Sequence, residues 1–210
     1  MALSIKYTSN IRNISSNTKQ ITTFLISVTG ERLTHVSGIG WGDNSDLLKN
    51  NVYNNPFWNG TAFFKTSKGI PFRVEVNWKG ALHNAERGEW RGDRMSFFSA
   101  MTESNEHTII RSSGTMGKDD AGFKVSENTV ETYKQPKWWQ TNMLPEPLRH
   151  DSGHDGSHCF LTNEFIDSLL NNRKPVVDVH EAIAYTAPGI VAHSSALKDG
   201  EYMKIPDFDK

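Results

Sequence analysis

Residues 148–160, which we call the histidine loop, combine the side chains best suited to chemistry. They read Leu-Arg-His-Asp-Ser-Gly-His-Asp-Gly-Ser-His-Cys-Phe. The histidines stand four residues apart, at His150, His154 and His158, a spacing that would place all three on one face of a helix. Gly153 and Gly156 between them favour a loop instead. Because an amphipathic helix follows directly, this polar segment is predicted to face a ligand.

The histidine loop is open to three interpretations. Neutral imidazoles with Asp151 and Asp155 nearby suit zinc or manganese, although the spacing matches no specific metal-binding pattern. Histidine also titrates near neutral pH, and both ring nitrogens can meet hydroxyl groups, which suits acid/base or hydrogen-bonding work on a polyol. The third interpretation is a surface loop made of capping and turn residues.

A second group of polar side chains lies in residues 78–87, at the end of the clearest strand of the sequence. Lys79, His83 and Arg87 are hydrogen-bond donors suited to oxygen-rich ligands. A strand end presents such side chains from a rigid scaffold. The alternative is a solvated, charged strand end without a ligand.

The sequence contains none of the common nucleotide-binding or zinc-binding motifs. Gly38-Ile39-Gly40-Trp41-Gly42 follows a predicted strand, but it leads into Asp-Asn-Ser-Asp and lacks the βαβ context of a dinucleotide site. The sequence contains no phosphate-binding P-loop, His-Glu-x-x-His or Cys-x-x-Cys motif. Cys159, the single cysteine, excludes an internal disulfide and is predicted to be a small buried residue in a reducing compartment.

Charge and hydropathy exclude two classes of partner. The formal net charge is −1, from 23 Lys and Arg against 24 Asp and Glu. No broad basic surface is therefore expected for nucleic acid. No apolar run reaches the roughly 18 residues that span a membrane, and the N-terminus lacks a signal-peptide run. We expect no membrane partner and a cytoplasmic location.

Hydrophobic periodicity predicts the elements that position these residues. Helical spacing from residue 21 to Gly30 predicts a short helix. Alternation predicts about five to seven antiparallel strands, at residues 32–41, 61–66, 72–78, within 89–98 and 107–112, and in the Gly-rich stretch that follows. Two helices close the chain after the histidine loop, the second capped by Asp178.

These elements predict an α+β fold, with an open-faced mainly antiparallel β-sheet and helices packed on one face. The strand at residues 72–78 has one apolar and one charged face, which indicates a sheet covered on one side only. Residues 1–20, rich in Ser, Asn and Thr, are predicted to form an irregular N-terminal lead-in. Residues 21–210 are predicted to form one domain.

Four blocks of sequence occur together in order. They are residues 28–34 (Val-Thr-Gly-Glu-Arg-Leu-Thr), 54–58 (Asn-Asn-Pro-Phe-Trp), 86–90 (Glu-Arg-Gly-Glu-Trp) and 153–206, which includes Gly-Ser-His, Arg-Lys-Pro, Thr-Ala-Pro-Gly-Ile and Ala-His-Ser-Ser-Ala-Leu. As a set they resemble the C-terminal substrate domain of the Gfo/Idh/MocA family of sugar oxidoreductases. The resemblance covers roughly residues 22–208.

The resemblance implies an open-faced sheet that holds a sugar and builds dimers or tetramers beside an N-terminal dinucleotide-binding domain. Neither that domain's fingerprint nor a Glu-Lys-Pro motif occurs here, and Thr18-Lys19-Gln20 stands where the family places a catalytic histidine. We therefore expect no cofactor to bind this chain alone and no dehydrogenase activity from it alone. NAD(P) is expected only through a missing or separate domain.

Three functions from different classes follow. The first is a stand-alone or truncated substrate-binding and oligomerisation domain that takes a sugar-like molecule, forms a homo-oligomer through its sheet face and pairs with a separate nucleotide-binding chain. The others are a catalytically dead sugar-binding or structural module, and a cofactor-free lyase or hydrolase, metal-assisted or not, acting on keto-sugars or glycosides. We predict His154 and His158 as catalytic residues and no metal ligands. Substrate contacts are predicted from Lys79, His83, Arg87, Arg149, His150 and Asp155.

Overall fold

The computed structural model describes residues 2–7, 14–49, 51–81, 87–101, 106–154 and 156–208. Two compact units make up the chain, and each is described by itself. The first contains residues 1–133 and 183–210, and the second contains residues 134–182. Two residues with predicted substrate contacts, His83 and Asp155, lie outside the described residues.

The described residues form these strands and helices. The strands are β1 (Ala2–Tyr7), β2 (Leu33–Trp41), β3 (Asn59–Thr66), β4 (Pro71–Asn77), β5 (Arg87–Arg91), β6 (Met95–Phe98), β7 (His107–Lys118), β8 (Lys124–Tyr133) and β9 (Met203–Lys204). The helices are α1 (Ile14–Thr29), α2 (Asp46–Lys49), α3 (Ser157–Leu170) and α4 (Val179–Ala196). The boundary between the two units falls inside α4.

A single sheet of nine strands, in the order β8-β7-β6-β5-β1-β4-β3-β2-β9, forms the first unit. β1 runs parallel to β4 and antiparallel to β5, and the other neighbouring pairs are antiparallel. The predicted α+β class and the mainly antiparallel sheet are confirmed. The strand count exceeds the prediction because β1 and β9 lie in segments without a sustained sequence pattern.

Helices α1 and α4 cover one face of this sheet. In β4 every second residue is buried, so Phe72, Val74 and Val76 face the core while Arg73 and Glu75 occupy the opposite face. The core also contains Leu25, Ile26, Leu33, Val36, Ala62, Phe64, Ala192 and Ile205. The second face carries exposed apolar residues such as Ile39 and Phe63. The sheet is therefore covered by helices on one face only, as predicted.

The predicted irregular lead-in over residues 1–20 is wrong where the structure describes it. β1 inserts between β4 and β5, with Ile5 opposite Val74 on one side and Gly88 on the other. Helix α1 begins at Ile14 rather than near residue 21 and ends before Gly30, whose φ of 67° suits glycine. The sequence Leu-Ser-Ile-Lys-Tyr does alternate, but it is too short to predict a central strand.

The glycines at positions 38, 40 and 42 serve close packing. A Cβ on Gly38 would stand 2.9 Å from the carbonyl oxygen of Ala192, so α4 approaches β2 at this point. A Cβ on Gly40 would overlap the ring of Phe57, and one on Gly42 would overlap the carbonyl of Pro56. Since neighbours fill the space at each glycine, this stretch leaves no cradle for a dinucleotide pyrophosphate.

The second unit consists of turns, α3 and the first residues of α4. A 3-10 turn at Glu146–Leu148 precedes the histidine loop. Asp178 caps α4, since its Oδ1 accepts from the Glu181 amide at 2.9 Å, as the capping pattern predicts. Within the described part of the chain, none of the helices combines the length and apolar character needed to cross a membrane.

Candidate functional site

Three strands of the first unit have a terminus at the same end of the sheet: β2 and β4 end there and β3 begins there. Trp41 of β2 pairs with Asn59 of β3, which in turn pairs with Asn77 of β4. Asp43 follows β2 by two residues and Lys79 follows β4 by two residues. The sheet therefore brings together side chains that are far apart in sequence.

Lys79 forms an ion pair with Asp43 at this end of the sheet. The Lys79 ammonium contacts Asp43 Oδ2, while Asp43 Oδ1 accepts from Trp58 Nε1 at 2.8 Å and from the Ser45 amide at 3.0 Å. These contacts, that of Lys79 first and that of Trp58 next, hold the pKa of Asp43 well below its ordinary range. Asp43 is therefore ionised at neutral pH.

Two tryptophans flank the same ammonium group. Lys79 Nζ lies 5.7 Å from the centroid of the Trp58 ring and 6.0 Å from that of Trp41, within the range of cation–π attraction. Trp58 is buried, whereas Trp41 is 52% exposed. We call Trp41, Asp43, Trp58 and Lys79 the Lys79 cluster. It combines a donor, an acceptor and an accessible aromatic ring.

Asn59 fixes the backbone that carries Lys79. Its Oδ1 accepts from the amides of Trp78 at 2.9 Å and Lys79 at 3.0 Å, and its Nδ2 donates to the Lys79 carbonyl at 3.0 Å. All the hydrogen-bonding groups of this side chain except one donor hydrogen are therefore engaged. Asn59 acts as a positioning residue for Lys79.

Arg87 comes from the same end of the sheet. β1 separates its strand from β4, since Lys6 pairs with Glu75 on one side and with Arg87 on the other. Arg87 Nη1 lies 3.4 Å from the carbonyl oxygen of Met101 and 3.1 Å from its sulfur. The guanidinium thus holds the segment after β6, and a contact with substrate stays a prediction.

The histidine loop belongs to the second unit and adopts tight turns before α3. Positive φ angles occur at Gly153 (85°), His154 (45°) and Gly156 (82°), as glycine-rich turns require. His150 and His154 precede the helix, whereas His158 lies in its first turn. The three histidines therefore do not share a helix face, and the loop interpretation is confirmed for the first two.

A small network ties the histidine loop to α3. The Cys159 amide donates to Ser152 Oγ at 3.0 Å, which satisfies one of the free amides of the first helical turn. The Cys159 thiol donates to the carbonyl of His150 at 3.2 Å. Cys159 is buried and unpaired, as its sequence context predicts.

Two of the predicted residues come together in this loop. The rings of His154 and His158 lie 5.1 Å apart between centroids, and both side chains are exposed. Arg149 Nε instead donates to the Leu144 carbonyl at 2.8 Å, and His150 Nδ1 donates to the Asp151 carbonyl at 3.3 Å. The catalytic and substrate roles assigned to these residues stay predictions.

Metal ligands do not converge in the described ranges. Apart from the masked stretches, no three His, Cys, Asp or Glu side chains are grouped so that they could hold an ion. His193 of α4 has its pKa lowered by burial, and its ring meets that of Phe57 edge-on at 6.0 Å between centroids. This pair packs the loop before β3 against the helix.

Sequence reasoning missed most of the Lys79 cluster. Lys79 was identified as a donor at a strand end, but Trp41, Asp43, Trp58 and Asn59 were not. An available signal was the acidic residue directly after a strand that ends in tryptophan. The ion pair itself depends on sheet register, which the sequence pattern alone does not determine.

Known proteins resemble this chain in sequence. The family model described as "Glycosyl hydrolase 109, C-terminal domain" matches residues 99–210, more than half of the chain. A "Glycosyl hydrolase family 109 protein" from Solibacter usitatus (strain Ellin6076) is 27% identical over 88 residues, which cover 42% of this chain and 19% of that protein.

Solved structures resemble it in fold. Levoglucosan dehydrogenase in complex with NADH and L-sorbose aligns with a TM-score of 0.70 and 10% identity, over 99% of this chain and 58% of its own. Scyllo-inositol dehydrogenase from Lactobacillus casei with bound NAD(H) and scyllo-inositol gives 0.59 and 11%, over 97% and 56%. An oxidoreductase domain protein from Kribbella flavida gives 0.67 and 12%, over 98% and 58%. The chain thus spans little more than half the length of these proteins.

Proposed function

The chain belongs to the glycosyl hydrolase 109 C-terminal domain family, a Gfo/Idh/MocA-like C-terminal domain, and from this premise we propose that it is the substrate-binding and oligomerisation part of a sugar oxidoreductase-like protein. In this role it binds a sugar or polyol and carries no NAD(P) site of its own. NAD(P) reaches the bound sugar through a nucleotide-binding domain on another segment or chain.

The Lys79 cluster is the observation that carries this proposal. Polyols are recognised by paired donors and acceptors beside an aromatic ring, because a sugar offers hydroxyl groups around its edge and an apolar carbon face. Lys79 and Asp43 supply the polar pair and Trp41 supplies the exposed ring. L-sorbose and scyllo-inositol, the ligands named for the solved relatives, are molecules of this kind.

The packing of the glycines after β2 supports the second part of the proposal. Gly38, Gly40 and Gly42 form a Gly-x-Gly-x-Gly segment, and in the structure each is in close contact with a neighbour. The solved structures that contain NADH or NAD(H) extend well beyond the part that this chain matches.

Calorimetry on the full chain tests the proposed function. We expect at least one neutral sugar or polyol from a panel to bind, and NAD⁺ and NADP⁺ to give no heat with the chain alone. Lys79→Met should weaken sugar binding, because the substitution removes the ammonium and keeps the length of the side chain. A panel without any binding sugar, or tight binding of NAD⁺, contradicts the proposal.

The same samples test the alternative in which the histidine loop performs acid/base chemistry. The close approach of His154 and His158 is the observation that favours it. Turnover of a glycoside or keto-sugar without added nucleotide, lost in His154→Ala, would replace the binding role with a catalytic one. Sugar binding without turnover supports the binding role.

A further inference from the structure

The Lys79 cluster offers hydrogen bonds that the described residues leave unused. An ammonium group has three donor hydrogens, and Lys79 directs one to Asp43. Asp43 Oδ1 accepts from Trp58 and from the Ser45 amide, Oδ2 accepts from Lys79, and the Ser45 side chain also acts on this carboxylate. Among the described residues, therefore, unused donor hydrogens of Lys79 stand beside the carboxylate of Asp43.

The charges of Lys79 and Asp43 determine which ligands can form hydrogen bonds with this pair. Lys79 and Asp43 form a pair whose charges cancel, and both side chains are partly exposed. An anionic sugar would approach Asp43 as closely as Lys79, so that repulsion offsets attraction. Two neighbouring hydroxyl groups meet no such conflict, because one can donate to Asp43 while the other accepts from Lys79.

Trp41 completes the arrangement. Its ring is 52% exposed and lies beside the ammonium, whereas Trp58 is buried and already donates to Asp43. An exposed ring next to a polar pair favours a ligand with one apolar face and a hydroxylated edge. Pyranosides and cyclitols have this shape.

We propose that the Lys79 cluster is a binding site selective for neutral polyols, which present a pair of adjacent hydroxyl groups to Asp43 and Lys79 and stack their carbon face on Trp41. The proposal rests on the proposed sugar-binding function and names its ligand class. Asp43 weakens the binding of uronates and sugar phosphates and so acts as a specificity-determining residue. Asn59 contributes by holding the Lys79 backbone.

A matched pair of ligands tests the selectivity on the full chain. Methyl β-glucopyranoside and methyl β-glucuronide differ only at C6, which is a hydroxymethyl group in the first and a carboxylate in the second, and scyllo-inositol serves as a second neutral probe. We expect calorimetry to show the neutral ligands binding about tenfold more tightly than the glucuronide, because of the adjacent carboxylate of Asp43. In Asp43→Asn the preference should reverse, since Lys79 then has no counter-charge.

Substitution of the tryptophan provides the second arm. Trp41→Ala should weaken neutral ligands about tenfold through loss of the stacking face. Trp138→Ala is the matched control, because Trp138 is equally exposed at 52% but belongs to the second unit. Circular dichroism melts show whether each variant retains the fold, and Trp41→Leu, which keeps an apolar side chain without an aromatic face, replaces Trp41→Ala if that variant unfolds.

The outcomes separate the two claims. If no ligand of either charge binds, the sugar-binding function fails and this site fails with it. If sugars bind but the glucuronide binds as tightly as the glucoside, or Asp43→Asn leaves the ratio unchanged, the selectivity is wrong while the proposed function stands. Equal effects of Trp41→Ala and Trp138→Ala overturn the assigned location.

Discussion

Asn59 shows how one side chain can control a site that it does not form. It engages the backbone of residues 78 and 79 through both its oxygen and its nitrogen. Lys79 reaches Asp43 only if its backbone keeps this position. At the residue scale, the geometry of the Lys79 cluster therefore depends on an amide in the neighbouring strand.

Replacing Asn59 by alanine should lower stability by about 1–3 kcal/mol, because the hydrogen bonds from its side chain to three backbone groups of residues 78 and 79 are lost. It should also weaken neutral-polyol binding about as much as Lys79→Met does. Asn59→Asp keeps the two accepted hydrogen bonds and should retain part of the affinity. Asn77→Ala, at the paired position in β4, is the control. Urea unfolding and calorimetry measure the two effects, and unchanged affinity in Asn59→Ala would contradict the positioning role.

At the scale of an element, the polar side chains of helix α3 likewise hold a neighbouring segment through hydrogen bonds. Arg173, after the helix, contacts Glu164 through two parallel hydrogen bonds of 2.8 and 2.7 Å and reaches Asp167 through Nε at 2.8 Å. Glu164 Oε1 also accepts from the Val176 amide at 2.8 Å. The polar side of α3 thus holds the following loop by hydrogen bonds. Its apolar residues Leu161, Phe165 and Leu169, which are four positions apart, are exposed.

Acid should remove the stabilisation that the ion pair between Glu164 and Arg173 provides. Arg173, first, and the Val176 amide lower the pKa of Glu164 from 4.5 to about 2. A carboxylate with a lowered folded-state pKa stabilises the fold above its unfolded pKa, and that stabilisation is lost as pH falls from about 4.5 through about 2. Urea unfolding of wild type and Arg173→Met should therefore differ at neutral pH and converge toward pH 2. A difference that persists in acid would contradict this account.

Periodicity predicted elements well where a side chain pattern is sustained. β2, β3, β4 and both closing helices form where their apolar spacing predicts, and Gly30 and Asp178 end and begin helices as expected. Most large apolar residues of α3 are nevertheless exposed, and α4 buries small residues such as Ala192 and Ser195. β1 and the start of α1 were missed because their polar residues mask the pattern, while partners more than sixty residues away define the strand. The turn of the histidine loop was predicted from its glycines, but the contact between Asp43 and Lys79 required the register of three strands.

At the scale of the whole molecule, the uncovered sheet face is the surface through which we propose that copies of this chain associate. Ser37 pairs with Phe63, and Ile39 lies two residues further along β2 on the same face. Both Ile39 and Phe63 are exposed. Apolar residues exposed on a rigid sheet mark a surface that another protein covers.

Phe63→Glu should convert the proposed oligomer to a monomer, because it places a charge on this face. Since Phe63 is 58% exposed, the melting temperature of the monomer should fall little. Phe123→Glu, at 71% exposure in the turn between β7 and β8, is the control and should leave the proposed oligomer intact. Analytical ultracentrifugation decides, and a monomeric wild-type chain would rule the interface out.

The position of β1 has a consequence for how the sheet is held together. It is the single strand between β5 and β4, so the nine strands consist of two four-stranded ribbons joined by the backbone of residues 2–7. Without that strand, each ribbon would present an unpaired edge of amides and carbonyls to the other. The two groups of four strands are therefore hydrogen-bonded into one sheet only through the six residues of β1.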